Sequence, residues 1–474
     1  MKIDISKEEF KQEGYKIVDW IAEYLNEIEK YPVIAQVKPG DIKKKIEDSV
    51  PANGTSMDSI MEEFNKTIVP GLTHWNHPNF FALFNSTSSS AGIFGEFLSA
   101  ALNVNGFLWK GSPSLTELEQ KMMDWFIQAV GLPKNYWGII FDSASTSTLH
   151  AIASAREQLN LNIRQKGMSG RTDLPLLRIY SSEHAHSSVD KAALTLGLGL
   201  ESLVKIKADE KFRMDIKCLK NTLAEDRAKG YLPLCVVGTI GTTSITSVDP
   251  IDEIAELCER QNLWLHVDAA YAGVTAMLEE KRKFFVGLDR ADSIVMNPHK
   301  WFFTPVDISI YMTRKKDLLK RAFSLLPEYL RTDIETENLM DYGFQLGRRF
   351  RALKLWFTFK YYGLDNLKNI LREHIRLAEM VKTFIEADKD FELMADVNFS
   401  TVCFRYKKEN MNDAELDKLN ETLMNNLNDT GKIYLSHTKV NNKFMIRFVV
   451  SGLRQEERHV REAWKLIKKE SGKI

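Results

Sequence analysis

At 474 residues the chain is long enough for two or three domains, one of them with a large core. Its 64 basic and 64 acidic residues cancel, so nothing in the balance argues for an electrostatic footprint on nucleic acid or on an anionic membrane. A composition of 44% hydrophobic and 27% charged residues is that of a soluble globular protein. The four cysteines, Cys218, Cys235, Cys258 and Cys403, fall at no C-x-x-C spacing. Neither a zinc site nor a redox pair is predicted, and the thiols fit a reducing, cytoplasmic compartment.

The opening stretch, MKIDISKEEFKQEGYKIVDWIAEYL, is interrupted by charge throughout and does not read as a signal peptide. Phe10, Ile17, Ile21, Tyr24 and Ile28 recur at roughly helical spacing, and Ser6 with Glu9 has the form of a capping box. No run approaches the ~20 apolar residues of a membrane span. YPVIAQVKPGD reads as a linker in which Asp41 caps a second helix, and VPANGTSMD as a break before a third. Three short helices bury little alone, so residues 1–86 are expected to pack on another domain or another subunit.

From residue 87 to 355 short β-rich runs alternate with helical stretches. WGIIF precedes STLHAIASAREQL, LLRIYSS precedes SVDKAALTLG, and LCVVGTI precedes PIDEIAELCERQ; LWLHVDAAY, SIVMN and ISIYM follow. This alternation predicts an α/β domain with a mostly parallel sheet covered on both faces. Residues 356–474 read as a smaller α+β domain. Its long helix runs from RALKLWFTF into NLKNILREHIRLAEMVKTFIEA, and STVCFRY and KFMIRFVV are strands. No internal repeat or low-complexity tract is present.

Asp268 and Lys300 both follow apolar runs that read as strands, and ligands of open α/β sheets bind outside the carboxyl ends of strands. A lysine can form a Schiff base with a carbonyl cofactor, and a carboxylate can hold a pyridinium nitrogen, which together suit pyridoxal phosphate. Taken singly, each is equally an exposed charge. Ser143-Ala144-Ser145-Thr146 lies between the run WGIIF and a helix expected from about Thr148, so it reads either as a phosphate cradle or as a plain cap. His184 and His186 follow LLRIY, where a histidine either stacks on a cofactor ring or makes ordinary loop hydrogen bonds. No third ligand at metal spacing accompanies them, nor His74 and His77. Gly241-Thr242-Thr243-Ser244 follows LCVVGTI, where a hydroxyl can touch a cofactor, as in many βα loops.

In order along the chain stand HWNHPNFFALF, SPSLTELE, HAHSSVDKA, GTTS, LHVDAAYAG, NPHKW, LLPEYL and LGRRFRALKLWF. Together they resemble the pyridoxal-phosphate-dependent aromatic L-amino acid decarboxylases, the group II decarboxylases, over nearly the whole chain. The resemblance implies the type I fold of pyridoxal-phosphate transferases, similar to aspartate aminotransferase. It also implies a homodimer with sites at the interface and an N-terminal helical segment packed across it. By resemblance Lys300 is the Schiff-base lysine, Asp268 the partner of the ring nitrogen and His186 the histidine stacked on the ring. Ala144, Ser145 and Asn297 match phosphate contacts, Thr243 and Ala270 match positions at or around the cofactor, and His299 precedes the lysine. Trp75, Phe84, Asn85, Ser86 and Phe107 align with the substrate pocket, Phe107 from the partner subunit. Tyr329 aligns with a loop tyrosine that acts on the other subunit's site and, with His186, protonates the product carbon. Members that form aldehydes replace that tyrosine by phenylalanine or the stacking histidine by asparagine. The presence of Tyr329 and His186 points to an amine as product, with an aldehyde synthase or a catalytically silent cofactor-binding scaffold as the alternatives.

Some positions depart from the animal enzymes. The stretch between Tyr329 and Gly347 is shorter, and Asn85 and Asn105 stand where apolar residues are usual. Gly347 matches members that accept bulky rings such as indole, or else meets a backbone requirement. The aromatic HWNHPNFFALF and the lack of a placed arginine argue against an acidic substrate. Tryptophan, phenylalanine, tyrosine and their hydroxylated forms remain, with tryptophan and phenylalanine favoured.

Overall fold

The computed structural model describes residues 4–325 and 336–474. Seven strands form one sheet: β1 (Trp137–Phe141), β2 (Leu177–Ser182), β3 (Leu203–Ile206), β4 (Leu232–Thr239), β5 (Trp264–Asp268), β6 (Ser293–Met296) and β7 (Ser309–Thr313). Their order is β1-β7-β6-β5-β4-β2-β3. β7 runs antiparallel to β1 and β6, and the remaining pairs are parallel. The carboxyl ends of β1, β2, β4, β5 and β6 therefore share one edge. The expected α/β class and mostly parallel sheet are borne out.

Continuous apolar runs form these strands because both faces are covered. Val237 of β4 joins a core with Ile152 and Ala155 of helix Ala144–Gln158 and with Val189, Ala192 and Ala193 of helix Ser188–Thr195. The next residue, Gly238, faces helix Ile251–Gln261, where a Cβ would come 2.7 Å from Ile251 Cδ1. β3 was not foreseen: it is an edge strand of four residues, and its Lys205 is exposed.

The chain divides into two compact units. One, Ser86–Glu379 with Ala395–Val402, holds the seven-stranded sheet. The other comprises Met1–Asn85, Met380–Met394 and Cys403–Ile474. A second sheet, of order β10-β11-β9-β8, contains β8 (Phe391–Leu393), β9 (Thr401–Tyr406), β10 (Ser436–Val440) and β11 (Lys443–Val449). The pairs β10–β11 and β8–β9 are antiparallel.

Helix Lys7–Asn26 starts with the expected capping box of Ser6 and Glu9. Asp41 caps no helix. Its carboxylate accepts from Lys38 N at 2.9 Å and closes a turn, and only a 3-10 turn of three lysines, Lys43–Lys45, follows. That run has no apolar face with which to hold a helix. The long helix after residue 350 is two, Arg351–Tyr362 and Leu364–Glu386, separated where Gly363 adopts φ +71°. No helix among the described residues is long and apolar enough to cross a membrane.

Candidate active site

β5 ends at Asp268 and β6 at Met296, and the ladder between them continues past both strand ends. Ala269 N donates to Val295 O at 3.0 Å, and Asn297 N donates to Ala270 O at 3.0 Å. Asp268 is 7% exposed, and one carboxylate oxygen accepts from Ala270 N at 3.0 Å. Lys300 lies in the single helical turn Pro298–Trp301, where its N–H donates to Asn297 O at 2.9 Å. Its side chain keeps some exposed surface, but the amine sits deep among protein atoms. Burial holds that amine below the ordinary lysine range, and the Asp268 carboxylate opposes the shift.

His186 stands just beyond β2, with Nδ1 accepting from Ser188 N at 3.1 Å, so the neutral ring carries its proton on Nε2. Burial lowers its pKa, Asp268 raises it and Lys300 lowers it further. The three groups are thus within reach of one another's charge. His299 accepts from Ile308 N at 3.0 Å, and burial, with Lys300 and Lys354 adding to it, lowers its pKa to about 4.

The helix expected from Thr148 starts at Ala144, with Ser143 as its cap and Ser143 Oγ accepting from Thr146 N. This places the amides of Ala144 and Ser145 in a first turn, where N–H groups have no intrahelical acceptor and the helix dipole favours an anion. Gly241 adopts φ +86°, and a Cβ there would come 2.7 Å from Ala272 Cβ. The glycine lets the 241–247 turn close on the segment after Asp268. Thr242 Oγ1 pairs with Ser247 Oγ at 2.8 Å, whereas Thr243 is exposed. Asp249, pushed up to about 6 by burial, accepts from Met214 N and Thr239 N and holds this turn to β4.

Several of the buried polar atoms without a protein partner lie at these strand ends. They are Asp142 Oδ1 after β1, Ser181 Oγ, His184 Nε2 and Ser188 Oγ at and after β2, Thr239 Oγ1 and Thr246 Oγ1 at and after β4, and Asn297 Oδ1 after β6. An unsatisfied buried group costs about 1–3 kcal/mol, so a polar ligand or bound water is expected to pair with this set. Ser181, Thr239 and Thr246 were not singled out in the sequence, because hydroxyls at strand ends are commonplace there.

Of the expected pocket residues, Phe107 and Gly347 are on adjoining segments. Gly106 N donates to Arg348 O at 3.0 Å, and Arg348 N donates to Asn105 Oδ1 at 2.9 Å. A Cβ on Gly347 would lie 3.7 Å from Asn105 Nδ2. Ser86 is half-buried in the same unit. Trp75, Phe84 and Asn85 belong to the other unit. There Trp75 packs on Phe80 with ring centroids 4.7 Å apart, the Arg447 guanidinium lies over Phe84, and Asn85 is fully buried. Tyr329 lies outside the described residues.

A lysine coupled to a strand-end carboxylate, with first-turn amides on the same sheet edge, is the arrangement that pyridoxal phosphate needs. The family model for the pyridoxal-dependent decarboxylase conserved domain matches residues 39–407. The chain belongs to this family. The decarboxylase is 37% identical to Tryptophan decarboxylase 2 of Oryza sativa subsp. japonica, over 98% of this chain and 95% of that one. It is also 37% identical to Tyrosine decarboxylase 4 of Petroselinum crispum, over 98% and 93%. Among solved structures, Oryza sativa TDC with PLP and tryptamine superposes with TM-score 0.96 at 34% identity, over 100% and 99% of the two chains. Rhodiola rosea 4-hydroxyphenylacetaldehyde synthase superposes with TM-score 0.92 at 32% identity, over 99% of each. The protein is a carboxy-lyase whose cofactor is pyridoxal phosphate. The orphaned polar atoms, the first-turn amides and the buried Lys300–Asp268 pair fit that group.

Proposed function

We propose that this decarboxylase converts aromatic L-amino acids, tryptophan and phenylalanine foremost, to the arylalkylamine and CO2. The observation that carries the reading is the charge-coupled cluster of Lys300, Asp268 and His186 at the ends of β6, β5 and β2. The names of the relatives supply the substrate class.

Pyridoxal phosphate supplies an electron sink for the electrons left when the carboxylate departs as CO2. Lys300 Nζ would hold the cofactor, and burial lowers the pKa of that amine. The Asp268 carboxylate would pair with the cofactor's ring nitrogen and favour its protonated form. Ala144, Ser145 and Asn297 would hold the phosphate, and Thr243, Ala270 and His299 would stand at or around the ring. His186, whose neutral ring carries its proton on Nε2, would contact the cofactor ring. Ser86, Phe107 and Gly347 would hold the aromatic side chain and so set the angle at which the carboxylate leaves. The Tyr329 hydroxyl, assisted by His186, delivers a proton to the product carbon, a step worth ~10²–10⁴-fold.

The working form is a homodimer in which residues 1–86 pack across the interface and Phe107 and Tyr329 serve the other subunit's site. Helix Lys7–Asn26 supports this: none of its residues is buried, and Phe10 and Tyr15 are each 66% exposed. Thiols rather than disulfides at Cys218, Cys235, Cys258 and Cys403 favour a reducing compartment such as the cytoplasm.

A second reading, decarboxylation with oxidation to an aldehyde, is favoured by the likeness to the Rhodiola rosea synthase. Turnover of an equal mixture of tryptophan, phenylalanine, tyrosine, L-DOPA, histidine and glutamate in air, with products read by mass spectrometry, separates the two. Aromatic amines with little aldehyde support the decarboxylase; aldehydes as main products overturn the amine. Tyr329→Phe should shift products toward aldehyde, and an unchanged amine yield would remove Tyr329 as the proton donor.

A further inference from the structure

Lys300 stands on one helical turn, and a turn of four residues has little stability of its own. Its direction must come from what its neighbours touch. The next residue, Trp301, is fully buried and stacks on Tyr271, with ring centroids 5.0 Å apart and planes 12° from parallel. Tyr271 follows Ala270, three residues past Asp268, and its hydroxyl pairs with Ser400 Oγ at 2.6 Å. The Trp301–Tyr271 stack therefore joins the segment bearing Lys300 to the segment bearing Asp268 at the side-chain level.

The stack is fixed from one more direction. Trp301 Nε1–H donates to His374 Nδ1 at 2.9 Å, from a histidine on helix Leu364–Glu386 that is 1% exposed. Phe303 packs edge-on against the same imidazole, at 5.6 Å and 78°. Because Nδ1 accepts, the neutral His374 ring carries its proton on Nε2. An indole N–H can only donate, and if His374 lost its acceptor the buried Trp301 donor would have no partner among the described residues.

We propose that His374 is a positioning residue for the cofactor. Its Nδ1 locks the Trp301 indole and, through the Trp301–Tyr271 stack, holds Lys300 in register with Asp268. This rests on the reading that Lys300 carries pyridoxal phosphate. His374 touches neither cofactor nor substrate; it acts through Trp301.

The test compares wild type with His374→Leu, which keeps bulk but removes the acceptor. It includes His374→Asn, which can return an acceptor near the Nδ1 position, and Trp301→Phe, which removes the donor. The readouts are the dissociation constant of pyridoxal phosphate from the full-length protein and the visible circular dichroism of the bound cofactor. Apo-protein melting temperature serves as the control. His374→Leu should weaken retention about tenfold or more and diminish the dichroic band, and His374→Asn should restore most of both. Wild-type retention and dichroism in His374→Leu, or an equal loss in Leu and Asn variants with folded apo-protein, overturns the proposal. If His374→Leu does not fold, Trp301→Phe carries the same comparison: wild-type retention and dichroism there overturn the proposal. Borohydride reduction and peptide mapping of wild type tests the underlying reading separately. A label on Lys300 upholds it, and a label elsewhere overturns it together with the role of His374.

Discussion

Asn297 donates its backbone N–H to the Ala270 carbonyl at 3.0 Å, and that bond extends the β5–β6 ladder into the segments that carry Asp268 and Lys300. A carboxylate and an amine thirty-two positions apart in the chain are thereby placed on one sheet edge by main-chain geometry. Their mutual electrostatics then follows: burial lowers the Lys300 amine and Asp268 restrains the fall.

Lys300→Ala should reduce turnover by about 10³-fold or more and remove the visible absorbance of the reconstituted protein, since no other group supplies the covalent attachment. Steady-state kinetics and an absorbance spectrum check both. Retained turnover with a retained band would place the attachment at another lysine.

Asp268→Asn removes the charge that raises the Lys300 amine, so the Lys300 pKa should fall further. In the apo-protein, acetylation of Lys300 followed by peptide mass mapping across a pH series should show its midpoint move to lower pH. A midpoint that stays or rises would mean that the two groups are not coupled.

Acid should destabilise the fold through His150 and His266, both fully buried and both lowered to about 4 by burial. The unfolded chain takes up these protons first, near pH 6.5. Stability is therefore whole above that value and is lost as pH falls from about 6.5 to about 4, at up to ~3 kcal/mol for each histidine. Asp249, raised to about 6, works in the opposite sense between about 3.8 and 6. His150 lies among the rings of Phe141, Phe323 and Phe344, so His150→Phe suits the site in shape and cannot titrate. Urea titrations should show this variant gaining on wild type as pH drops from 7 to 5. A constant gap would remove His150 from the acid limb.

Glu119 and Arg348 form an enclosed ion pair at 2.5 Å, with side chains 1% and 6% exposed. Glu119 Oε1 also accepts from Ile140 N at 2.9 Å, and Arg348 donates to Ile140 O at 3.0 Å. Glu119→Ala leaves the guanidinium buried without its partner and should cost about 3–5 kcal/mol by denaturant midpoint. Replacing both residues by methionine should recover only part of that loss, because Ile140 N–H and C=O lose their partners. A cost below about 1 kcal/mol for the single change would mean that water reaches the pair.

Phe10→Glu on helix Lys7–Asn26 should weaken the proposed dimer with little effect on the protomer, because the ring is exposed within one chain. Sedimentation equilibrium should show a larger dissociation constant. An unchanged assembly would exclude this face from the interface.

The strands that matter most to the site were legible because burial on both faces makes them continuous apolar runs: WGIIF, LCVVGTI and SIVMN appear as β1, β4 and β6. The strands that escaped are edge or short strands with polar positions, such as β3 and SHTKV of β10, whose middle residues face solvent. Gly363 ended a helix that periodicity alone would have continued. At the site, Lys300, Asp268 and His186 were visible as unusual residue types at strand ends. The orphaned hydroxyls of Ser181, Thr239 and Thr246 were not, because a serine or threonine at such a position has no distinguishing local pattern.

By itself the sequence determined the fold class, the order of the alternating elements and the residue types able to carry pyridoxal phosphate chemistry, since these rest on periodicity and on motifs a few residues long. Only the tertiary structure decided which buried polar atoms lack a partner, that the first helical turn opens at Ala144, and that His374 reaches Trp301 across seventy-three positions. Those facts depend on distances between segments remote in the chain, and no local pattern of residues encodes a distance.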